Sequence, residues 1–194
     1  MQNSTDSPRG ELPPALRSAW RYGNTAIILH WLLALLITAT AILGWIMVQN
    51  EKQPGSARYF ELHKSVGLVI ALLVLTRISA RLASRVEDLP ATLEIWEVKL
   101  ARAIQSMLYV LLVLVPVTGY LGASYSKAGV KFFGLSTPRW TISDDEIAEQ
   151  VFDIHSVLVW VLLALVAIHT LGAFKHLLLG KDEVFQRMWF KSRQ

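Results

Sequence analysis

Four long apolar segments constrain the fold of this 194-residue chain more than any other feature. A membrane-spanning helix needs roughly 20 mostly apolar residues, and the segments that approach this length are residues 25–48, 60–80, 103–125 and 152–179. Because a bilayer offers no water to backbone polar groups, only helices and closed β-barrels can cross it. Segments this long predict helices, so we expect an all-α, integral membrane bundle of four helices.

The composition supports a membrane location and excludes several classes of protein. Hydrophobic residues make up 53% of the chain and charged residues only 18%, whereas a soluble domain carries about 25% charged residues. The net charge is +4, but the basic residues flank the apolar segments, as in membrane proteins. We therefore expect no nucleic-acid partner. The absence of cysteine excludes disulfides, iron–sulfur clusters and covalent c-type haem attachment.

The chain has room for one domain, which we place at residues 21–194. Residues 1–20 are polar and lack the pattern of a cleavable signal peptide, so they are predicted to form a disordered cytoplasmic tail. Thirteen of the 19 Lys and Arg residues fall on the side of the two termini. Under the positive-inside rule, this asymmetry places both termini in the cytoplasm.

Two connections between the apolar segments contain helical patterns of their own. Residues 93–104, LEIWEVKLARAI, look helical and run into the third segment. The acidic residues 143–149 are predicted to form a short surface helix capped by Ser143, since Glu146 follows three positions later. Within the third segment, Pro116 predicts a kink, which membrane helices tolerate.

The histidines are the chemically distinctive residues, because ionisable side chains inside a membrane are costly and mark functional sites. His63 and His155 each lie about three residues inside the outer end of a predicted helix, so their depths match. His169 follows His155 by 14 residues, which is about 21 Å and nearly four helical turns. It thus reaches the depth of His30 on the inner side. The spacing predicts an outer pair, His63 with His155, and an inner pair, His30 with His169.

Two facing imidazoles in an apolar cleft suit the axial positions of a haem iron. Two other interpretations stay open: interfacial polar residues, and zinc or copper ligands, although a pair without further ligands is a poor site for either metal. Small residues that would let a macrocycle approach the backbone are Gly44, Gly67, Gly119, Gly122, Gly172 and Ala173. Candidate cations for haem propionates are Arg58, Lys64 and Lys131 outside, and Arg21, Arg77 and Arg81 inside.

Several short motifs, taken in order, resemble the bacterial cytochrome b561 family. They are YGNTAIILHW with His30, LHKSVG with His63, PVTGY, DIHSVL with His155, AIHTLGAFKHLL with His169, and the ending GKDEVFQRM. The resemblance extends over residues 22–188 and implies two b haems, each held by two histidines, in a multi-pass protein of the bacterial inner membrane. It also implies electron exchange with ubiquinone and, for bacterial members, oxidation of superoxide coupled to ubiquinone reduction.

The combined interpretation is an oxidoreductase that transfers electrons through two b haems between an outer-face donor, such as superoxide, and ubiquinone in the membrane lipid. The alternative is a membrane-anchor cytochrome b subunit that exchanges electrons with a separate catalytic protein; a transporter without haem is a third possibility. The sequence leaves the oligomeric state open.

The fifth histidine, His176, lies seven residues beyond His169, about two turns further along the same face. It is a candidate proton donor to quinone at the inner face, or simply an anchor for the helix end among headgroups. Five basic residues form either a positive funnel above the outer pair or a set of solvated charges: Arg58, Lys64, Lys127, Lys131 and Arg139.

Overall fold

The computed structural model describes residues 22–83, 94–180 and 185–189. This part of the chain contains four long helices, namely α1 (Asn24–Gln49), α2 (Ala57–Ala83), α3 (Ile95–Tyr125) and α4 (Asp145–Lys175). Each is long and apolar enough to cross a membrane. The predicted all-α, four-helix membrane architecture is therefore confirmed. The predicted tail, residues 1–20, lies outside the described residues.

The four helices run alternately up and down. α3 packs along α4, α1 along α2, and α2 along α3, whereas α4 makes few close backbone approaches to α1 or α2. A small apolar core joins α1 and α2 through Leu33, Ile70 and Val74. Elsewhere large apolar side chains point outward, as Leu35 does with 67% of its surface exposed. This exposure suits a bundle whose outer surface meets lipid rather than water.

We call the two ends of the bundle the hairpin end and the terminal end. The hairpin end carries the connection between α3 and α4, which includes the antiparallel strands β1 (Lys131–Phe132) and β2 (Leu135–Ser136). The turn residues Phe133 and Gly134 both have positive φ, 47° and 87°, as a type I′ hairpin turn requires. The terminal end carries Tyr22, the beginning of α3 and residues 185–189.

The hairpin is fastened to α2 beside His63. The backbone N–H of Phe133 donates to Oγ of Ser65 at 2.8 Å, and Nζ of Lys64 donates to the carbonyl oxygen of Gly129 at 2.8 Å. Ser65 is fully buried. The connection above His63 is therefore a fixed part of the bundle and not a loose loop.

The start of α4 corrects one prediction. Residues 143–149 do not form a separate surface helix capped by Ser143, because α4 begins at Asp145 and continues without a break into the apolar segment. Asp144 is the N-cap, and its carboxylate accepts the backbone N–H groups of Glu146 and Ile147, each at 3.1 Å. A carboxylate caps better than a hydroxyl here because it also complements the positive end of the helix dipole.

The start of α3 agrees with the sequence. The helical stretch predicted ahead of the third segment is confirmed as its first turns, and Glu94 and Glu97 form a capping box there. Pro116 lies inside this helix. Its lack of an N–H leaves the carbonyl four residues earlier without its helical partner.

A short C-terminal segment closes the terminal end. It contains a 3-10 turn, Gln186–Met188, and crosses the beginning of α1. Nε1 of Trp31 donates to the carbonyl oxygen of Met188 at 2.8 Å, and the N–H of Tyr22 donates to that of Arg187 at 3.3 Å. The rings of Trp31 and Trp189 meet edge to face, with centroids 5.6 Å apart. The segment thus covers the helix turn that carries His30.

Candidate functional site

Two imidazole pairs lie between helices whose backbones are not in close contact. At the hairpin end, the rings of His63 on α2 and His155 on α4 have centroids 6.4 Å apart and planes 85° apart. At the terminal end, the rings of His30 on α1 and His169 on α4 have centroids 6.2 Å apart and planes 72° apart. The structure thus brings together the same two pairs that were derived from depth along the helices.

The separation within each pair fits two ligands on opposite sides of one metal ion. A bond from a metal to an imidazole nitrogen is about 2 Å long, and the nitrogen lies about 1 Å from its ring centroid, so two such rings have centroids about 6 Å apart. Each pair supplies only two ligands. The described residues contain no group of three or more His, Cys, Asp and Glu side chains able to hold a metal ion.

The tautomer of His155 is set by its neighbours on α3. Its Nδ1 lies 2.9 Å from the carbonyl oxygen of Val115 and 3.3 Å from Oγ1 of Thr118. Because a carbonyl oxygen can only accept, the neutral ring carries its proton on Nδ1. Nε2 then has a free lone pair, as a metal ligand needs, and the hydrogen bond fixes the ring orientation.

Glycines make room for both rings at the hairpin end. A Cβ atom at Gly119 would lie 3.0 Å from Cε1 of His155, and one at Gly44 would lie 3.1 Å from Cε1 of His63. Added Cβ atoms at Gly67 and Gly172, about one turn from His63 and His169, would meet no atom within 4 Å. Gly67 and Gly172 therefore leave space beside the helix backbone near these histidines, whereas a Cβ atom at Gly122 would meet the ring of Phe152.

At the terminal end, a guanidinium group contacts the site. Nη2 of Arg77 lies 3.2 Å from Nδ1 of His30, and Nη1 donates to the carbonyl oxygen of Ala26 at 2.9 Å. A guanidinium can only donate, so Nδ1 of His30 accepts and the ring proton lies on Nε2. Metal binding through Nε2 would move this proton to Nδ1 and release one N–H of Arg77 for another acceptor.

The cations predicted to form an outer funnel are partly neutralised. Lys131 pairs with Glu61 at 2.6 Å, and Lys127 pairs with Asp145. This carboxylate raises the pKa of Lys127 through a hydrogen bond and its charge. Arg139 donates to the backbone carbonyl of Lys127, and Arg58 donates to the Tyr59 hydroxyl. Two of the five cations therefore have carboxylate partners, whereas Arg58 and Lys64, near His63 on α2, donate to neutral oxygen atoms.

His176 lies at the end of α4, where the helix widens into the π-helical turn His176–Gly180. Beside it, Nζ of Lys175 pairs with Glu97 at 2.5 Å and lies 5.5 Å from the centroid of the Trp96 ring. His176 is close enough for its charge to act on Glu97. Single π-helical turns are frequent at functional sites because they redirect side chains. The arrangement places a titratable ring, a carboxylate and an ammonium together at the terminal end.

Arg81 and Arg21 are the other two cations that were predicted to lie near the inner pair. Arg81 donates to the Tyr22 hydroxyl at 3.0 Å, so it lies over the beginning of α1. Arg21 lies outside the described residues. The sequence singled out both Arg77 and His30 but did not predict their contact, because 47 positions separate the two residues.

Comparisons with known proteins find similar chains along most of the length of this one. The family model described as prokaryotic cytochrome b561 matches residues 21–191. Cytochrome b561 homolog 2 of Escherichia coli (strain K12) is 29% identical over 89% of this chain and 93% of its own length. Cytochrome b561 homolog 1 of the same strain is 25% identical over 87% and 96%. Cytochrome b562 of Cereibacter sphaeroides is 29% identical over 86% and 94%.

Proposed function

The chain belongs to the prokaryotic cytochrome b561 family, and we propose that it conducts electrons through two b haems from a donor at the hairpin end to ubiquinone. Membership makes it a multi-pass membrane protein that binds b haem and transfers electrons across the membrane. The observation that supports the two-haem proposal is that the structure has two pairs of facing imidazole rings, with ring centroids 6.4 Å apart in one pair and 6.2 Å apart in the other.

In this proposal, His63 and His155 hold one haem and His30 and His169 hold the other. A haem with two axial histidines supplies one-electron transfer and leaves no open iron position for oxygen. The protein contributes orientation and a dry environment: the Val115 carbonyl fixes His155, and Gly44 and Gly119 admit the rings. The 14-residue spacing from His155 to His169 separates the two sites by about 21 Å along α4, so together they span most of a hydrocarbon core about 30 Å thick.

We propose that the protein lies in the bacterial inner membrane with both termini in the cytoplasm and the hairpin end in the periplasm. The support is the distribution of Lys and Arg, thirteen of 19 on the side of the termini. Reporter fusions at Gln194 and within the loop before α4 are expected to report cytoplasmic and periplasmic locations, respectively. A periplasmic signal from the Gln194 fusion would reverse the assignment of the two ends.

Superoxide is the proposed donor, because two cations near His63, Arg58 and Lys64, donate to neutral oxygen atoms rather than to carboxylates and would attract an anion. Two superoxide anions each give up one electron and become dioxygen, while ubiquinone takes two electrons and two protons to form ubiquinol. Purified protein in lipid nanodiscs is expected to reduce ubiquinone when superoxide is generated, with a rate that falls steeply as salt rises. Neutralising Lys64 and Arg58 together should lower the low-salt rate and flatten the salt dependence.

The same experiment separates this function from the membrane-anchor alternative. A purified chain that stays reducible by dithionite but passes no electrons from superoxide to ubiquinone until a cell fraction is added would favour an anchor subunit. A colourless preparation from cells supplied with haem precursors would exclude both. A rate independent of ionic strength and of the Lys64 and Arg58 substitutions would reject electrostatic capture of an anion.

We propose that ubiquinone is reduced at the terminal end, next to His176. A quinone needs protons as well as electrons, and an imidazole can both donate and accept a proton, so His176 can pass a proton to a quinone oxygen. Its neighbours Glu97 and Lys175 offer a route for that proton from the aqueous side. His176→Ala is expected to retain both haems and slow ubiquinone reduction by on the order of 10- to 100-fold. Stopped-flow measurement of ubiquinol formation tests this, and normal turnover at full haem content would move the quinone site elsewhere.

A further inference from the structure

We infer that Arg77 raises the midpoint potential of the haem at the terminal end above that of the haem at the hairpin end. Electron transfer from the hairpin end towards the terminal end is then downhill. This inference rests on the proposed function, because it takes His30 with His169, and His63 with His155, as the axial ligand pairs.

The charge of Arg77 lies beside the terminal-end pair and is not balanced by a nearby carboxylate among the described residues. Its guanidinium group contacts His30 at 3.2 Å and the carbonyl oxygen of Ala26 at 2.9 Å, both of which are neutral groups. It is also close enough to act electrostatically on the second ring of this pair, His169. One half-buried cation therefore acts on both proposed ligands of the same iron.

The hairpin-end pair has a different environment. Nδ1 of His155 faces the Val115 carbonyl oxygen and the Thr118 hydroxyl, whereas the buried Nδ1 of His63 has no hydrogen-bond partner among the described residues. The cations nearest in sequence and space point to other groups: Lys64 to the Gly129 carbonyl, and Lys131 to Glu61. The groups that bind His155 are therefore neutral acceptors, and no guanidinium or ammonium group hydrogen-bonds either ring among the described residues.

The two environments shift the potentials in opposite directions. A cation beside an iron centre disfavours the ferric state, which carries one more positive charge, and this interaction is strong where water is excluded. An imidazole that donates its N–H to a carbonyl oxygen becomes a more basic ligand, which favours the ferric state. If the guanidinium turns towards a haem propionate on binding, removing it would leave that carboxylate uncompensated, so the direction of the shift is the same.

The test uses variants that keep one haem each. His63→Ala should retain only the terminal-end haem, and His30→Ala only the hairpin-end haem, so optical redox titration of each protein gives one assigned midpoint potential. We expect the higher potential in His63→Ala. Adding Arg77→Gln to His63→Ala should lower that potential by about 59 mV, which is a tenfold change in a one-electron equilibrium. Arg77→Lys should lower the potential much less than Arg77→Gln does. Lys52→Gln, in the exposed connection after α1, should leave the potential unchanged.

The outcomes separate failure of this inference from failure of the proposed function. If His63→Ala retains two haems or none, the assignment of the ligand pairs is wrong. If it retains one haem whose potential does not respond to Arg77→Gln, or if Arg77→Lys shifts it as far as Arg77→Gln does, the tuning role is rejected while the pairs stand. Loss of this haem from every Arg77 variant would also reject tuning, and would assign Arg77 to haem retention.

Discussion

Replacing His63 or His155 with Ala is expected to lower the haem content of the purified protein from two per chain to about one. The two rings form one facing pair, and a b haem that loses one of its two axial ligands in an apolar cleft loses much of its attachment. His30→Ala and His169→Ala should also leave about one haem, but the other one. A pyridine haemochrome assay gives the number, and the reduced-minus-oxidised spectrum shows which haem remains.

The pairing is tested by combination as well as by number. His63→Ala with His155→Ala should still retain one haem, whereas His63→Ala with His169→Ala should retain none. His176→Ala is the matched control, because it is a histidine on the same helix as His155 and His169 that belongs to neither pair, and it should retain two. If the protein keeps both haems and unchanged spectra after any one of the four paired histidines is replaced, that residue is not a ligand.

Replacing Gly119 with Val is expected to remove the haem at the hairpin end while leaving all four histidines in place. A Cβ atom alone would already lie 3.0 Å from Cε1 of His155, and the branched side chain of Val has too little rotational freedom on a helix to turn away. The ring must then leave the position at which Val115 holds it. We expect about one haem per chain, with the terminal-end haem unaffected and serving as an internal control.

Two further variants make the result specific. Gly44→Val, on a different helix, presses on His63 in the same way and should remove the same haem. Gly119→Ala should have a smaller effect, because a methyl group requires the ring to shift by only a few tenths of an ångström. Full haem content with an unchanged spectrum in Gly119→Val would mean that His155 does not occupy this place in the folded protein.

The helices and the histidine pairs could be predicted because both depend on properties that are local and periodic. Hydropathy over about 20 residues locates a spanning helix, and a rise of 1.5 Å per residue converts sequence separation into depth. His155 and His169 share one helix, so their 14-residue spacing determined the difference in depth between the two histidine pairs before any packing was known. The depth of His63 and His30 then selected their partners.

The groups around the histidines could not be predicted in the same way. The partner of His155 is the backbone carbonyl of Val115, and every residue has such a carbonyl, so no side-chain pattern reveals it. The contact between Arg77 and His30 depends on how α2 is rotated against α1. The β-hairpin was also missed: a Phe-Gly turn is an unusual type I′ sequence, since Asn-Gly is the common one, and its two strands have only two residues each.

The C-terminal segment has a consequence for the order in which this protein is made. Residues 185–189 follow all four long helices in the sequence, and a chain emerges from the ribosome beginning with its N-terminus. Met188 is therefore synthesised after all four helices, and Trp31 can find its hydrogen-bond partner only once the sequence of the whole bundle has been made. Until that moment the turn of α1 that carries His30 lacks its cover, which gives a newly inserted chain an interval in which a bulky planar molecule can enter at the terminal end.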